Sequence, residues 1–400
     1  MYSLQMYLQM IKDKVRMTAY QAAIKASVKP GDVVLDLGAG TGIMSFLALE
    51  AGASRVYAIE TNDAIDLIRR IAKANGFDGR LICFQEDSLR LSLPEPVDVI
   101  VSDIRGNMPL YANNLQVLTD ARKRFLKPDG RLIPEIDTIQ VAPIENQKAF
   151  SDIEAWRQTP AKADLGSIAA LAANQMSGAK IKLEDLLAPA QAMPPIHYDN
   201  LQSYDFSMKA RYTVTRQGIC HGLGLWFESE LCPGVKMSNA PGVPATVYGQ
   251  TYFPLEHAYP VLSGDKIDVD IQARYAGQEH IWIWNVVIEA KGKPRVEERH
   301  SSFQGTVFSA EQFRKTAENY VPNLNQNAKI DLLILKLMEE KNSLGDIARR
   351  ITDQFPASFP GLQEALTRAG DLSRKYSESQ TQSHLPPHLN PLPLVGEREG

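Results

Sequence analysis

Four acidic residues and three glycines stand where chemistry is easiest to read. The run Asp36-x-Gly38-x-Gly40-x-Gly42 issues from the apolar stretch "VVLD" (33–36). Glu60 closes "RVYAIE" (55–60), Asp87 with Ser88 beside it closes "RLICFQED", and Asp103 closes "VDVIVSD", with Arg105 two positions on. A pyrophosphate-binding loop reads G-x-G-x-x-G, and from Gly38 that would need glycine where Ile43 stands. An anion site at a helix start suits a phosphate, whereas an acid beside bare glycine backbone suits a cation that must be approached closely. S-adenosylmethionine (SAM), a nucleoside with a sulfonium and an α-amino group but no phosphate, is therefore the expected ligand, with NAD the runner-up. On this reading Asp36 faces the cationic end, Glu60 accepts from the two ribose hydroxyls, and Asp87 lies near the adenine amino group.

Elements that hold such residues in register follow from the patterning. "IMSFLALEAG" is a helix stopped by Gly52, and "NDAIDLIRRIAKANG" a helix with Asn62 as N-cap and Gly76 as its stop. Together with "GRLIPE", the apolar runs alternate strand and helix. The fold class read here is α/β, a Rossmann-like SAM-binding domain with a parallel-rich sheet and its ligand at the carboxyl ends of the strands. Later, "KIDVDIQARY" and "HIWIWNVVIEA" alternate with period two, as antiparallel strands do.

Composition bounds the classes. With 400 residues, 44% hydrophobic and 22% charged, the chain is expected to form two or three globular domains. A net charge of −4 gives no general attraction to nucleic acid, and no apolar run reaches bilayer length. No signal peptide is read in "MYSLQMYLQMIKDKVR". Cys83, Cys220 and Cys232 lack metal or redox spacing, so reduced thiols and a cytoplasmic location are expected. No metal site is expected, and His257 and His280 read as packing or surface residues. Trp226, Trp282 and Trp284 read as filling or covering the second domain.

The same residues resemble the protein arginine methyltransferases. "MIKDKVRMTAY" (10–20) looks like that family's segment before the SAM loop, and "VLDLGAGTGIMSFLALEAGASRVYAIE" runs on in the family manner. "HGLGLWFESEL" (221–231) and "YGQTYFPLEHAYPVLSGDKIDVDIQA" (248–273) are similar to strands of its β-barrel. The likeness covers roughly residues 10–305. It implies that Arg16 meets the methionine carboxylate of SAM, that a protein or peptide side chain is methylated, and that residues 151–195, alanine-rich and read as helical, supply an arm for a head-to-tail homodimer.

Two departures concern the acceptor. The family holds a guanidinium between two glutamates; the first falls at Asp103, one methylene shorter, and the second near Ala112. The family's Thr-His-Trp loop is "TVY" here, Thr246, Val247 and Tyr248. Asp103 is read as the acid that orients or deprotonates an acceptor. Arg105 is expected either to grip an acceptor carboxylate by its planar fork or to point into solvent. A small-molecule O- or N-methyltransferase, or a SAM-binding scaffold without catalysis, remains as an alternative. No Asp/Asn-Pro-Pro-aromatic segment follows the fourth strand, which argues against a nucleic-acid acceptor.

The expected organisation is thus a SAM-binding domain over 1–145, a β-barrel-like substrate or dimerisation domain over 146–309, a helical region over 310–376 and a disordered tail over 377–400. In the helical region "AKIDLLILKLMEE", "SLGDIARRITDQF" with Ser343 as N-cap, and "GLQEALTRAGDLSRKY" are amphipathic segments of a winged helix, a peptide clamp or a plain appendage. The proline-rich end cannot bury enough apolar surface to order itself.

Overall fold

A computed structural model of the chain describes residues 3–158, 164–307 and 309–377. The chain divides into two units, Met1–Val307 and Phe308–Gly400; the proline-rich stretch lies outside the described residues.

The first unit opens with two helices, α1 (Leu4–Lys12) and α2 (Lys14–Ser27). Asp13 separates them and caps the second, its side chain accepting from the Arg16 amide. Then come β1 (Val33–Leu37), α3 (Ile43–Glu50), β2 (Arg55–Ile59), α4 (Ile65–Ala74), β3 (Leu81–Phe84), β4 (Val97–Ser102), α5 (Asn114–Phe125) and β5 (Leu126–Ile133). The strands form one sheet in the order β3-β2-β1-β4-β5, every pair parallel. Helices cover both faces, which is why β1 is buried along its whole length and reads as a continuous apolar run. The order reverses beside β1, and a doubly wound sheet opens its crevice at such a point. Asn62 does not sit at the N-cap of α4, which starts three residues later. Its carboxamide oxygen instead accepts from the Ala64 amide, a local turn ahead of the helix.

The remainder of this unit is antiparallel: β6 (Ile136–Ile144), α6 (Gln147–Ala155), α7 (Gly166–Ala172), β7 (Ser177–Ala179), β8 (Gln191–Ala192), β9 (Ile196–His197), β10 (Phe206–Thr213), β11 (Gly218–Cys232), β12 (Val235–Ser238), β13 (Gln250–Val261), β14 (Lys266–Tyr275), β15 (His280–Glu289) and β16 (Val296–Ser301). Among the described residues these strands do not close into a barrel. They make one sheet ordered β10-β14-β15-β16 and another running β7-β13-β11-β6-β8, with β12 and β9 on its flanks. Alternation specifies antiparallel strands but says nothing about which edges meet. Among its described residues the 151–195 segment is α-helical only in its first half, at α6 and α7; beyond residue 176 it contributes β7 along β13, a single 3-10 turn at Leu183–Asp185 and β8 along β6.

Trp282 and Trp284 are fully buried, each edge-on to Phe253. Burying such rings supplies a large share of the apolar stabilisation of a domain. One buried cluster runs from Leu35 and Tyr57 of the parallel sheet through Leu115 and Leu118 to Phe253 and Trp284, so the two layers share a core. His280 is buried with Nε2 on the Tyr204 carbonyl, while His257 is exposed beside Glu298.

In the second unit α8 (Ala310–Arg314) precedes α9 (Gln326–Glu339), α10 (Leu344–Gln354) and α11 (Leu362–Tyr376). The last three pack around Ile330, Ile334, Ile347, Ile351 and Ala369. Ser343 caps α10 as its sequence indicates, and Arg368 pairs with Asp331 through both carboxylate oxygens.

Candidate active site

A cavity of about 680 Å³ lies at the carboxyl ends of β1, β2 and β4. Arg16, Asp36, Gly38, Gly40, Glu60, Asp87, Ser88 and Asp103 all line it. Gly42 does not; it sits behind the wall at φ +79, where a side chain would press on Ile68. At Gly38 the requirement for glycine is strongest. Its φ is +76, and a Cβ there would come within 2.2 Å of the Ile104 Cγ2 atom.

The acids at the strand ends are fastened before any ligand is considered. Asp36, 2% exposed, accepts from the Ser45 amide at 2.9 Å and the Ser45 hydroxyl at 2.6 Å. Burial pushes its carboxyl from an ordinary 3.8 up to about 6, and the Ser45 hydrogen bonds only partly oppose this. Glu60 accepts from the Gly40 amide at 2.9 Å on one oxygen and from the Asn62 side chain at 2.7 Å on the other, tying the end of β2 to the glycine turn. Asp87 accepts from the Leu89 amide at 3.0 Å. With Glu86, four carboxylates line this end of the cavity, so it is set for positive charge.

The other end is built around Asp103, and its partners come from far along the chain. Arg16 Nε donates to Asp103 Oδ2 at 2.6 Å. The Tyr20 hydroxyl donates to Oδ1 at 2.9 Å, and the Tyr248 hydroxyl lies 2.6 and 2.8 Å from the two oxygens. Burial, joined by Asp103, lifts the Tyr248 phenol well above its ordinary pKa. Burial does the same for Tyr20 against the pull of Arg105, so both remain donors at neutral pH. Burial disfavours the Arg16 charge, yet Asp103 and the two phenols more than offset it, and the guanidinium pKa is raised. In this arrangement the Arg16 guanidinium is bound to the acid through Nε while Arg16 also lines the cavity.

Arg105 corrects both expectations for it. It does not point into solvent, and where it borders the cavity its guanidinium is already held by protein groups. Its side chain is 3% exposed and donates through Nη1 to Asp137 Oδ1 at 2.9 Å and to the Ser229 hydroxyl at 3.1 Å. Its guanidinium carbon lies 5.1 Å from the centre of the Phe227 ring, and Nε is 3.4 Å from Asp103. Asp137 and Ser229 are direct neighbours on β6 and β11. Tyr198 donates to the second oxygen of Asp137 at 2.6 Å. Arg105 therefore fastens the end of the parallel sheet to the antiparallel one.

Several lining residues escaped the sequence reading. Met6, Tyr7 and Met10 of α1 cover the mouth, with the Tyr7 ring against Gly40. Asp13 joins this cover to the 246–248 loop by accepting from the Val247 amide at 2.8 Å. Tyr20 was within the quoted "KVRMTAY" but carried no signal of its own. Ala112, where the resemblance places a second glutamate, lines the cavity at φ +47.

Fold and pocket together define a Rossmann-like doubly wound domain with a cavity at its strand ends and an appended antiparallel β domain. Residues 17–135 match the family model described as ribosomal protein L11 methyltransferase, and residues 135–286 the arginine methyltransferase oligomerization subdomain. The chain is 33% identical over 232 residues to probable protein arginine N-methyltransferase 6 of Arabidopsis thaliana, covering 56% of this chain and 53% of that protein. It is 29% identical over 281 residues to protein arginine N-methyltransferase 2 of Xenopus tropicalis, covering 66% and 65%. It thus spans about half to two thirds of these relatives' length. Among solved structures, the Trypanosoma brucei PRMT1 enzyme-prozyme heterotetrameric complex with AdoHcy superposes with a TM-score of 0.67 at 21% identity, covering 74% of this chain and 97% of that one. Arabidopsis thaliana protein arginine methyltransferase 10 gives 0.65 at 24%, covering 75% and 97%. The chain is related in sequence and in fold to the protein arginine methyltransferases.

Proposed function

We propose that the chain is a SAM-dependent methyltransferase acting on a side chain of a protein or peptide. The observation that carries this reading is the cavity itself, where Asp36, Glu60 and Asp87 stand around a turn whose three glycines all take positive φ and whose Gly38 has no room for a Cβ. The cofactor would bring an activated methyl on a sulfonium. Glu60 is assigned to the ribose hydroxyls, Asp87 and Ser88 to the adenine end, and Asp36 and Arg16 to the amino-acid end. Asp103 is the acid nearest the acceptor. The relatives' names support a protein acceptor, whereas Ala112 in place of a second acid supports a small-molecule acceptor as the second reading.

Calorimetric titration with SAM tests the assignment. Glu60→Ala is expected to weaken binding at least tenfold while the melting temperature of the free chain falls by only a few degrees. Equal affinities would remove Glu60 from the ribose.

Asp36 supplies a pH test. Its folded-state pKa lies above the unfolded one, so its contribution to stability is fully present below about pH 3.8 and lost as the pH rises through about 6. At neutral pH the ionised, buried carboxylate therefore costs on the order of 3 kcal/mol. A bound cation relieves that cost. The rise in melting temperature given by saturating SAM should be larger at pH 7.5 than at pH 5, by several degrees, and Asp36→Asn should flatten the difference.

The match to an oligomerization subdomain supports self-association, which we assign to the antiparallel part. Light scattering on the purified chain is expected to give twice the monomer mass of 44.4 kDa; a monomer at micromolar concentration would rule this out.

A further inference from the structure

Charge at the acceptor end differs sharply from charge at the cofactor end. Among the described residues lining the cavity from Asp103 to Asn114, with Val247 and Tyr248, the charged side chains are Asp103 and Arg105. Behind them Arg16 is 2.6 Å from Asp103, Arg105 is 3.4 Å from Asp103, and Asp137 is 2.9 Å from Arg105. Two cations and two anions sum to zero. Both Asp103 oxygens already take donors from Arg16, Tyr20 and Tyr248. A cationic acceptor entering here would find one carboxylate, already shared by two guanidiniums, and no second acid.

We infer that Arg105 is a specificity-determining residue that sets this site for an uncharged acceptor, an amide or hydroxyl group, in place of a guanidinium. The inference rests on the methyltransferase reading. The neutral acceptor's lone pair forms the bond to the methyl carbon as the carbon–sulfur bond breaks and its electron pair stays on sulfur. The acceptor's proton passes to Asp103 and then to water. A carboxylate suffices for this, because a methylated hydroxyl or amide that still holds its proton is a far stronger acid than a carboxylic acid. Arg105 reaches the site through electrostatics and need not touch the acceptor, since Nη1 donates to Asp137 and Ser229 and Nη2 to the Tyr20 hydroxyl.

Two fluorescent glycine-rich peptides, one with a single arginine and the other with citrulline, its uncharged isostere, provide the test. Anisotropy is followed on the full chain saturated with S-adenosylhomocysteine, whose own titration checks the parent reading separately. The wild-type chain is expected to bind the citrulline peptide more tightly. Arg105→Leu, which takes the sum of these four charges from zero to −1, should shift the ratio at least tenfold toward arginine, and Arg105→Leu combined with Asp137→Asn, which returns the sum to zero, should shift it less. Adding Ala112→Glu to Arg105→Leu should shift it further. As a second readout, labelled SAM is incubated with the chain and cell lysate, and the protein is hydrolysed; no methylarginine is expected from the wild type. An arginine preference in the wild type, no difference between the peptides in any of these proteins, or methylarginine in the wild-type hydrolysate would overturn the inference. If S-adenosylhomocysteine itself fails to bind, the methyltransferase reading falls first.

Discussion

Arg105→Leu should lower the unfolding free energy by about 3–5 kcal/mol, the usual loss when one partner of a buried ion pair is removed. Asp137 is fully buried and Arg105 is its cationic partner among the described residues. Without Arg105 its charge would be left with the Tyr198 hydroxyl and little else. Adding Asp137→Asn should return most of that loss, because a neutral amide can be buried with the same hydrogen bond from Tyr198. An exposed pair such as Arg211 with Asp268 offers the contrast: Arg211→Ala should cost far less, because solvent screens the pair. Urea unfolding of the four proteins measures this. Equal small losses for Arg105→Leu and Arg211→Ala would show that the Arg105–Asp137 pair does not join the sheets.

Asp103→Asn should reduce methyl transfer by about 10²- to 10³-fold, within the range a positioned acid or base contributes. SAM affinity should stay within about threefold, because the substitution is isosteric and removes no group assigned to the cofactor. Tyr20, Tyr248 and Arg16 hold Asp103 in one orientation at distances between 2.6 and 2.9 Å, and such preorganisation makes a side chain useful in a transfer step. Label transfer into lysate protein gives the rate, and calorimetry the affinity. A parallel fall in both quantities would mean that Asp103 acts by holding the cavity together.

Local features were legible in the sequence and distant pairings were not. The β1 strand and its turn could be read because a central parallel strand is apolar throughout and because Gly38 and Gly40 adopt positive φ that other residues resist. The acids at 36, 60 and 87 could be placed because strand ends of a doubly wound sheet converge. Asp103's partners are another matter: Tyr20 lies 83 residues away and Tyr248 lies 145. No periodicity marks a tyrosine that will donate to one chosen acid. Arg105 looked solvated because arginine usually is, and its burial depends on Asp137 and Ser229 meeting side by side on β6 and β11. The same limit applies to the barrel, where each strand announced itself and the sheets' edges did not. Asp36 was read as free to face a cation; its tie to Ser45 needed the first turn of α3 in place.

A crystal structure of the chain with S-adenosylhomocysteine would test the central claim most directly. The account predicts the ribose hydroxyls on the Glu60 carboxylate, the adenine beside Asp87 and Ser88, and the sulfur between Asp36 and Asp103. Adenosine bound outside this cavity, or a ribose with no contact to Glu60, would contradict it.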